Sequence, residues 1–139
     1  MSRSDEVTGG CQCGAVRFRF SKASVPSTHH CHCRDCQRAT GSAFATVCIV
    51  PGPAFELEGD PRSWEVKGAS GKGVVRSFCG ECGSQLFSQV EVMPGMYFVK
   101  AGALDDASWM EPASSFWASS AQPWAPASDR IPAHAQNPG

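Results

Sequence analysis

Eight cysteines are the side chains of this sequence best suited to chemistry: Cys11, Cys13, Cys31, Cys33, Cys36, Cys48, Cys79 and Cys82. Seven fall into three knots, Cys11-x-Cys13, Cys31-x-Cys33-x-x-Cys36 and Cys79-x-x-Cys82, while Cys48 stands apart. An even count admits disulfides, yet the N-terminus MSRSDEVTGG is polar and shows no apolar h-region of an export signal. The expected compartment is cytoplasmic, where thiols stay reduced. A disulfide framework also spreads its partners to close long loops. Bunched thiols on tight turns instead suit a small ion that gathers several sulfurs at about 2.3 Å each. Redox exchange at Cys79-Gly80-Glu81-Cys82 lacks the strand–helix–strand setting that such pairs use. Zinc held by thiolates fits best.

Ligand arithmetic then divides the thiols. Structural zinc is closed by four protein ligands, whereas reactive zinc keeps three and an open position. The pairs Cys11/Cys13 and Cys79/Cys82 each supply half a site, so together they would stitch the N-terminal segment to a hairpin near residue 80. Cys31, Cys33 and Cys36 supply three ligands by themselves, which predicts an open site on the loop at 31–36. The alternative closes this trio with His29, His30 or His32 and makes it a second structural site. Two zincs per chain are expected in either case. Gly14, Gly80 and Gly83 flank the ligands and permit turns whose N–H groups fold around the sulfurs.

The elements that must position these thiols read as short strands. Val16, Phe18 and Phe20 alternate with Arg17 and Arg19, the period-two pattern of a half-buried strand. Residues 42–50 form a nearly continuous apolar run bounded by Pro51, suited to a buried strand with Cys48 as a core residue. Further strands are expected at 55–58, 64–67, 74–78, 85–92 and 97–101, separated by Gly and Pro. Helical periodicity is confined to a turn or two at 34–40 and 105–110. The fold class predicted is all-β, a single zinc-pinned domain of short antiparallel strands over residues 1–125. Residues 126–139 are rich in Pro and Ala and are expected to form a flexible tail. Trp64, Trp109, Trp117 and Trp124 are expected in core or lid packing.

Composition narrows the function classes. Hydrophobic residues make up 42% and charged residues 18%, which supplies a core. The net charge of −1, with scattered Lys and Arg, offers no basic stripe for nucleic acid. No apolar run approaches the roughly 20 residues of a membrane span. Oligomeric state is not legible.

The motifs resemble a known family. Gly10-Cys11-Gln12-Cys13-Gly14, Cys31-His32-Cys33-Arg34-Asp35-Cys36-Gln37-Arg38, Phe78-Cys79-Gly80-Glu81-Cys82-Gly83-Ser84-Gln85-Leu86 and Ala101-Gly102-Ala103-Leu104-Asp105-Asp106 occur in the order and spacing of the glutathione-dependent formaldehyde-activating enzymes, a family that includes centromere protein V. The resemblance covers residues 9–124. It implies a β-rich fold like the Mss4 scaffold, a structural zinc on Cys11, Cys13, Cys79 and Cys82, and a catalytic zinc on Cys31, Cys33 and Cys36. The implied activity is that of a carbon–sulfur lyase joining glutathione and formaldehyde into S-hydroxymethylglutathione, or acting on a related thiol/aldehyde adduct.

Zinc at an open three-thiolate site would favour a bound thiol as its thiolate, ready to attack an aldehyde carbon. Three thiolates donate much charge, so thiol activation is preferred over polarisation of the aldehyde. Arg34, Gln37 and Arg38 are candidates to hold a substrate carboxylate. His29, His30 and His32 are candidates for proton transfer or ligand support. A non-enzymatic zinc module, structural or interacting, is the competing function, and a fourth protein ligand on the trio would favour it.

Overall fold

The computed structural model describes residues 5–68 and 71–137. Strand-forming alternation dominates it, as the sequence predicts. The strands are β1 (Glu6–Gly10), β2 (Arg17–Ser21), β3 (Thr28–Cys31), β4 (Ala45–Pro51), β5 (Glu56–Glu58), β6 (Arg62–Lys67), β7 (Gly73–Phe78), β8 (Gln85–Val90), β9 (Met96–Lys100) and β10 (Ser114–Phe116). One α-helix, α1 (Arg34–Thr40), interrupts them. A small sheet has the order β1-β2-β5, and a seven-stranded sheet runs β10-β3-β4-β9-β8-β7-β6. Neighbours pair antiparallel except β10, which lies parallel to β3.

The core forms where the two sheets face each other. Val7, Phe18 and Phe20 of the small sheet join Phe55, and Cys48, Val50, Phe87 and Val99 come from the large one. The Phe55 ring stands edge-on to Phe87 at 5.4 Å and stacks on Tyr97 at 4.4 Å. Each phenylalanine removed from water contributes about 2–3 kcal/mol, so this aromatic cluster is a main source of cohesion. Cys48 is fully buried there, and burial pushes its thiol up to about 12.

Alternation sends the intervening residues to the other face of the large sheet. Val47 pairs with Lys100, Phe98 with Ser88, and Ser88 with Arg76, so Lys100, Ser88 and Arg76 share that face. α1 meets it at Cys36, whose Sγ lies 4.0 Å from Arg76 Nη2, and buries Cys36 and Gln37.

Three strands escaped the periodicity. β1 carries Gly9 and Gly10 in place of apolar side chains, β3 is Thr-His-His-Cys, and β10 is Ser-Ser-Phe. The Gly9 position is set by close packing: a Cβ there would lie 2.4 Å from the Ala103 carbonyl oxygen. Residues 34–40 do form a helix, whereas 105–110 form only a turn closed by Met110 N–H to the Ala107 carbonyl.

Two expectations need correction. Residues 126–139 are not a free tail over their described part. Ser115 N–H donates to the Pro132 carbonyl, His134 N–H donates to Ser115, and Trp117 N–H donates to Gln136, so this segment runs along β10. β10 is the outermost strand of the large sheet, and the C-terminal segment covers its otherwise open edge. Trp64 and Trp124 are largely exposed rather than packed, while Trp109 does lie against the core. No helix among the described residues is long and apolar enough to cross a membrane.

Candidate metal centres

Two tight turns build the first cluster. Cys11 N–H bonds to the Val16 carbonyl and Gly14 N–H to the Cys11 carbonyl, closing the turn between β1 and β2. The turn between β7 and β8 repeats the plan, with Cys79 N–H to Ser84 and Gly83 N–H to Cys79. Gly14 and Gly83 adopt φ of 85° and 79°, the left-handed region that such turns require of one residue. The sulfurs of Cys11, Cys13, Cys79 and Cys82 then lie within 4.8 Å of one another.

The spacing answers whether zinc fits. Sulfurs at the corners of a tetrahedron about zinc, each bonded at about 2.3 Å, stand about 3.8 Å apart. The Cys11–Cys13 and Cys13–Cys79 sulfur separations are both 3.7 Å. That is far too long for a disulfide, and all eight cysteines are free. Backbone N–H groups support the cluster: Val16 donates to Cys11 Sγ at 3.2 Å and Glu81 to Cys79 Sγ at 3.4 Å. Ser84 was not anticipated by sequence. Its hydroxyl lies 3.2 Å from Cys82 Sγ and accepts from Gln12 N–H, tying the two turns together. That hydroxyl, with its own N–H and that of Cys13, draws the Cys82 thiol down to about 5.

The second cluster forms where β3 ends and α1 begins. Cys31 is the last residue of β3, Cys33 caps the helix, and Cys36 sits one turn inside it. The Cys36 N–H donates to Cys33 Sγ at 3.2 Å, so one ligand candidate presents the next. The three sulfurs lie within 4.8 Å of one another, and no further His, Cys, Asp or Glu joins them among the described residues. The trio therefore straddles a strand end and a helix rather than a loop. Hydrogen bonds from Cys31 and then Cys33 hold the Cys36 thiol well below the usual range, and Lys100 and Arg76 act in the same direction.

The histidines do not close this group. His29 uses both ring nitrogens, on Ser114 Oγ at 2.7 Å and Ser27 Oγ at 2.8 Å. His30 Nδ1 bonds Thr46 Oγ1 at 2.7 Å. His32 is 2% exposed, packs its ring 4.8 Å from Phe44, and leaves Nδ1 without a hydrogen-bond partner. Burial lowers the affinity of all three rings for a proton. His134 arrives with the C-terminal segment and packs 5.9 Å from Phe116, which stacks on His29.

Gln37 is not a free substrate ligand. It is buried, its Nε2 donates to the His32 carbonyl at 2.7 Å and the Ser120 carbonyl at 3.0 Å, and its Oε1 accepts from Gln122 at 2.8 Å. Arg34 also donates to that Oε1. Gln37 thus binds the trio helix to the C-terminal segment. Arg34 and Arg38 are exposed on α1.

Sequence reading also passed over Lys100 and Arg76. Lys100 is 7% exposed and donates to Ser88 Oγ at 3.4 Å, and Arg76 Nη2 lies 4.0 Å from Cys36 Sγ. A lysine closing the otherwise apolar run Met-Tyr-Phe-Val-Lys was the available signal. A cavity of about 510 Å³ is lined by Thr40, Phe44, Thr46, Gly83, Gln85 and Lys100 among others.

Comparison with known proteins agrees with the motifs. The sequence profile of the family described as glutathione-dependent formaldehyde-activating enzyme matches residues 6–120. A Penicillium rubens protein provisionally named for that activity is 28% identical over 116 residues, covering 78% of this chain and 60% of its own length. A similarly named Halomonas elongata protein is 28% identical over 111 residues, covering 71% of this chain and 66% of that protein. This chain thus spans less than two thirds of the length of these relatives. A crystal structure of a Rhodobacter sphaeroides protein shares the fold, with a TM-score of 0.56 at 21% identity, over 70% of this chain and 87% of that one. With both cysteine clusters assembled inside the matched span, the chain belongs to the family of glutathione-dependent formaldehyde-activating enzymes.

Proposed function

We propose that this protein is a zinc-dependent carbon–sulfur lyase acting on the adduct of a thiol and an aldehyde, glutathione and formaldehyde being the first pair to test. The names of its relatives support that pair. The carrying observation is the inequality of the two clusters, four sulfurs in one and three in the other with no further ligand group among the described residues. On this reading Cys11, Cys13, Cys79 and Cys82 hold a structural zinc, and Cys31, Cys33 and Cys36 hold a second zinc with one position for substrate. Zinc bound there would supply positive charge that favours a substrate thiol, with an ordinary pKa of about 8.5, as its thiolate at neutral pH.

The chain's own residues do the positioning. Cys33 caps α1 and so sets where Cys36 points. Gln37 locks the same helix to the His32 and Ser120 carbonyls, which keeps the trio from rotating away. In the forward direction the substrate thiol gives up its proton, its sulfur adds to the carbonyl carbon so that a C–S bond forms as the C=O π bond breaks, and the oxygen left with the negative charge takes up a proton. The lyase direction reverses each of these changes. Arg38, two residues after Cys36 and exposed on α1, is the side chain we assign to a substrate carboxylate. Arg34 shares its guanidinium with Gln37.

Native mass spectrometry before and after mild chelation tests the reading, followed by an assay for S-hydroxymethylglutathione formation. Two zincs, one leaving easily while the fold survives, are expected. A single zinc with three freely alkylated thiols at Cys31, Cys33 and Cys36 would sink it.

A further inference from the structure

Lys100 poses a problem that the proposed reaction does not by itself explain. Its residue is 7% exposed, and its hydrogen bond, to Ser88 Oγ at 3.4 Å, is long. An ammonium has three protons to donate, and burying it without a counter-charge is strongly unfavourable. Among the described residues no carboxylate pairs with Lys100 or Arg76. The two cations also share one face of the sheet, on β9 and β7, with Ser88 of β8 between them. α1 meets that face at Cys36, whose Sγ lies 4.0 Å from Arg76 Nη2. The ionisable sulfurs beside these cations are those of the trio, which a bound zinc would hold as thiolates.

Charge explains why two cations sit here. Three thiolates around a divalent zinc leave one surplus negative charge, and a substrate thiolate in the fourth position would leave two. In a site closed to water, that second charge is opposed by repulsion that grows as the dielectric falls. The four-cysteine cluster meets the same charge differently, since Cys13 and Cys82 are exposed to solvent. The trio is more enclosed, with Cys36 buried and Cys31 and Cys33 half-buried.

We propose that Lys100 and Arg76 are positioning residues that offset the charge of a fourth, substrate-derived thiolate at the trio, and so select a thiol as the group bound there. The inference rests on the reading that the trio holds a metal with a position for substrate. It adds that the ligand must arrive as an anion through sulfur, its proton passing to solvent.

The test uses protein loaded with cobalt(II), whose thiolate charge-transfer and ligand-field bands report coordination without turnover. Glutathione is titrated into the wild type, Lys100→Met, Arg76→Gln and, as a control from the opposite face of the sheet, Lys67→Met. Each trio-side variant should keep both metals without thiol and weaken glutathione binding about 10- to 100-fold, as expected of one charge about 6–12 Å from the bound sulfur at an effective dielectric near 20. Lys67→Met should bind as the wild type does. Arg76 is only half-buried, so Arg76→Gln keeps the test decisive if Lys100→Met does not fold. Wild type that binds glutathione while both variants bind within about twofold of it overturns the inference and leaves the proposed function standing. Wild type whose trio spectrum is unmoved by glutathione overturns both. Loss of cobalt from the trio in the variants without thiol also overturns it, because the cations would then serve the three cysteines alone.

Discussion

Cys13 and Cys79 are 66 positions apart in the chain, yet their sulfurs lie 3.7 Å apart. The turn between β1 and β2 and the turn between β7 and β8 belong to different sheets, so this contact joins the two layers at one end of the sandwich. An ion shared by four such thiols acts as a cross-link whose binding free energy adds to folding.

Cys79→Ser should therefore act on the whole domain. We expect one zinc to be lost and the melting temperature to fall by roughly 10 °C or more, equivalent to about 3 kcal/mol in a chain of this size. Scanning calorimetry with zinc analysis on the same sample checks this. A variant with unchanged melting and unchanged metal would show that the cluster does not staple the sheets.

Cys33→Ser should behave differently. Serine keeps the helix cap that the Cys33 sulfur makes with the Cys36 N–H, so far-UV circular dichroism and melting should change little while one zinc and the activity are lost. Cys33→Ala should lose the same metal and about 1 kcal/mol more stability, because the cap goes too. Urea midpoints of the two variants side by side measure that difference.

Gln37→Leu should loosen the join between α1 and the C-terminal segment. It strands the His32 and Ser120 carbonyls and the Gln122 amide, at a cost of about 1–3 kcal/mol for buried polar groups left unpaired. Hydrogen exchange should rise selectively in α1 and around Ser120. Exchange that rises uniformly across the sheets would argue for a general packing defect instead.

Asp105 gives a pH-dependent prediction. Hydrogen bonds from Arg17 and then Thr8 hold its carboxyl below the ordinary carboxylate range. A depressed native pKa contributes stability above the unfolded value of about 3.9 and loses it as pH falls through the native value. Both side chains are about half exposed, so the contribution is held to less than about 1 kcal/mol by solvent screening. Asp105→Asn should lower the urea midpoint slightly at pH 7 and not at all near pH 2. An equal effect at both would assign the loss to packing rather than charge.

Much of the site was legible because metal ligation is written in residue type and short spacing. The Cys-x-Cys and Cys-x-x-Cys knots each lie on one turn, so their local geometry follows from a few residues and a glycine, as Gly14 and Gly83 show. Strands with alternating side chains, such as β2, were legible for the same reason. β1, β3 and β10 were not, since glycine, histidine and serine carry no apolar period and are held by neighbours rather than by their own pattern. Gln37 read as a free polar residue on a helix, and only its distant partners Ser120 and Gln122 reveal it as buried.

By itself, the sequence determined an all-β chain with seven clustered thiols, grouped as four that need each other and three that do not. Tertiary structure decided what surrounds them. It brought Lys100 and Arg76 beneath the trio, turned His29 and His30 toward hydroxyl partners, and laid the C-terminal segment along β10. The division has a physical cause: ligand knots are local and encoded within a turn, whereas the charge and hydrogen bonding around them come from strands that only sheet pairing makes neighbours.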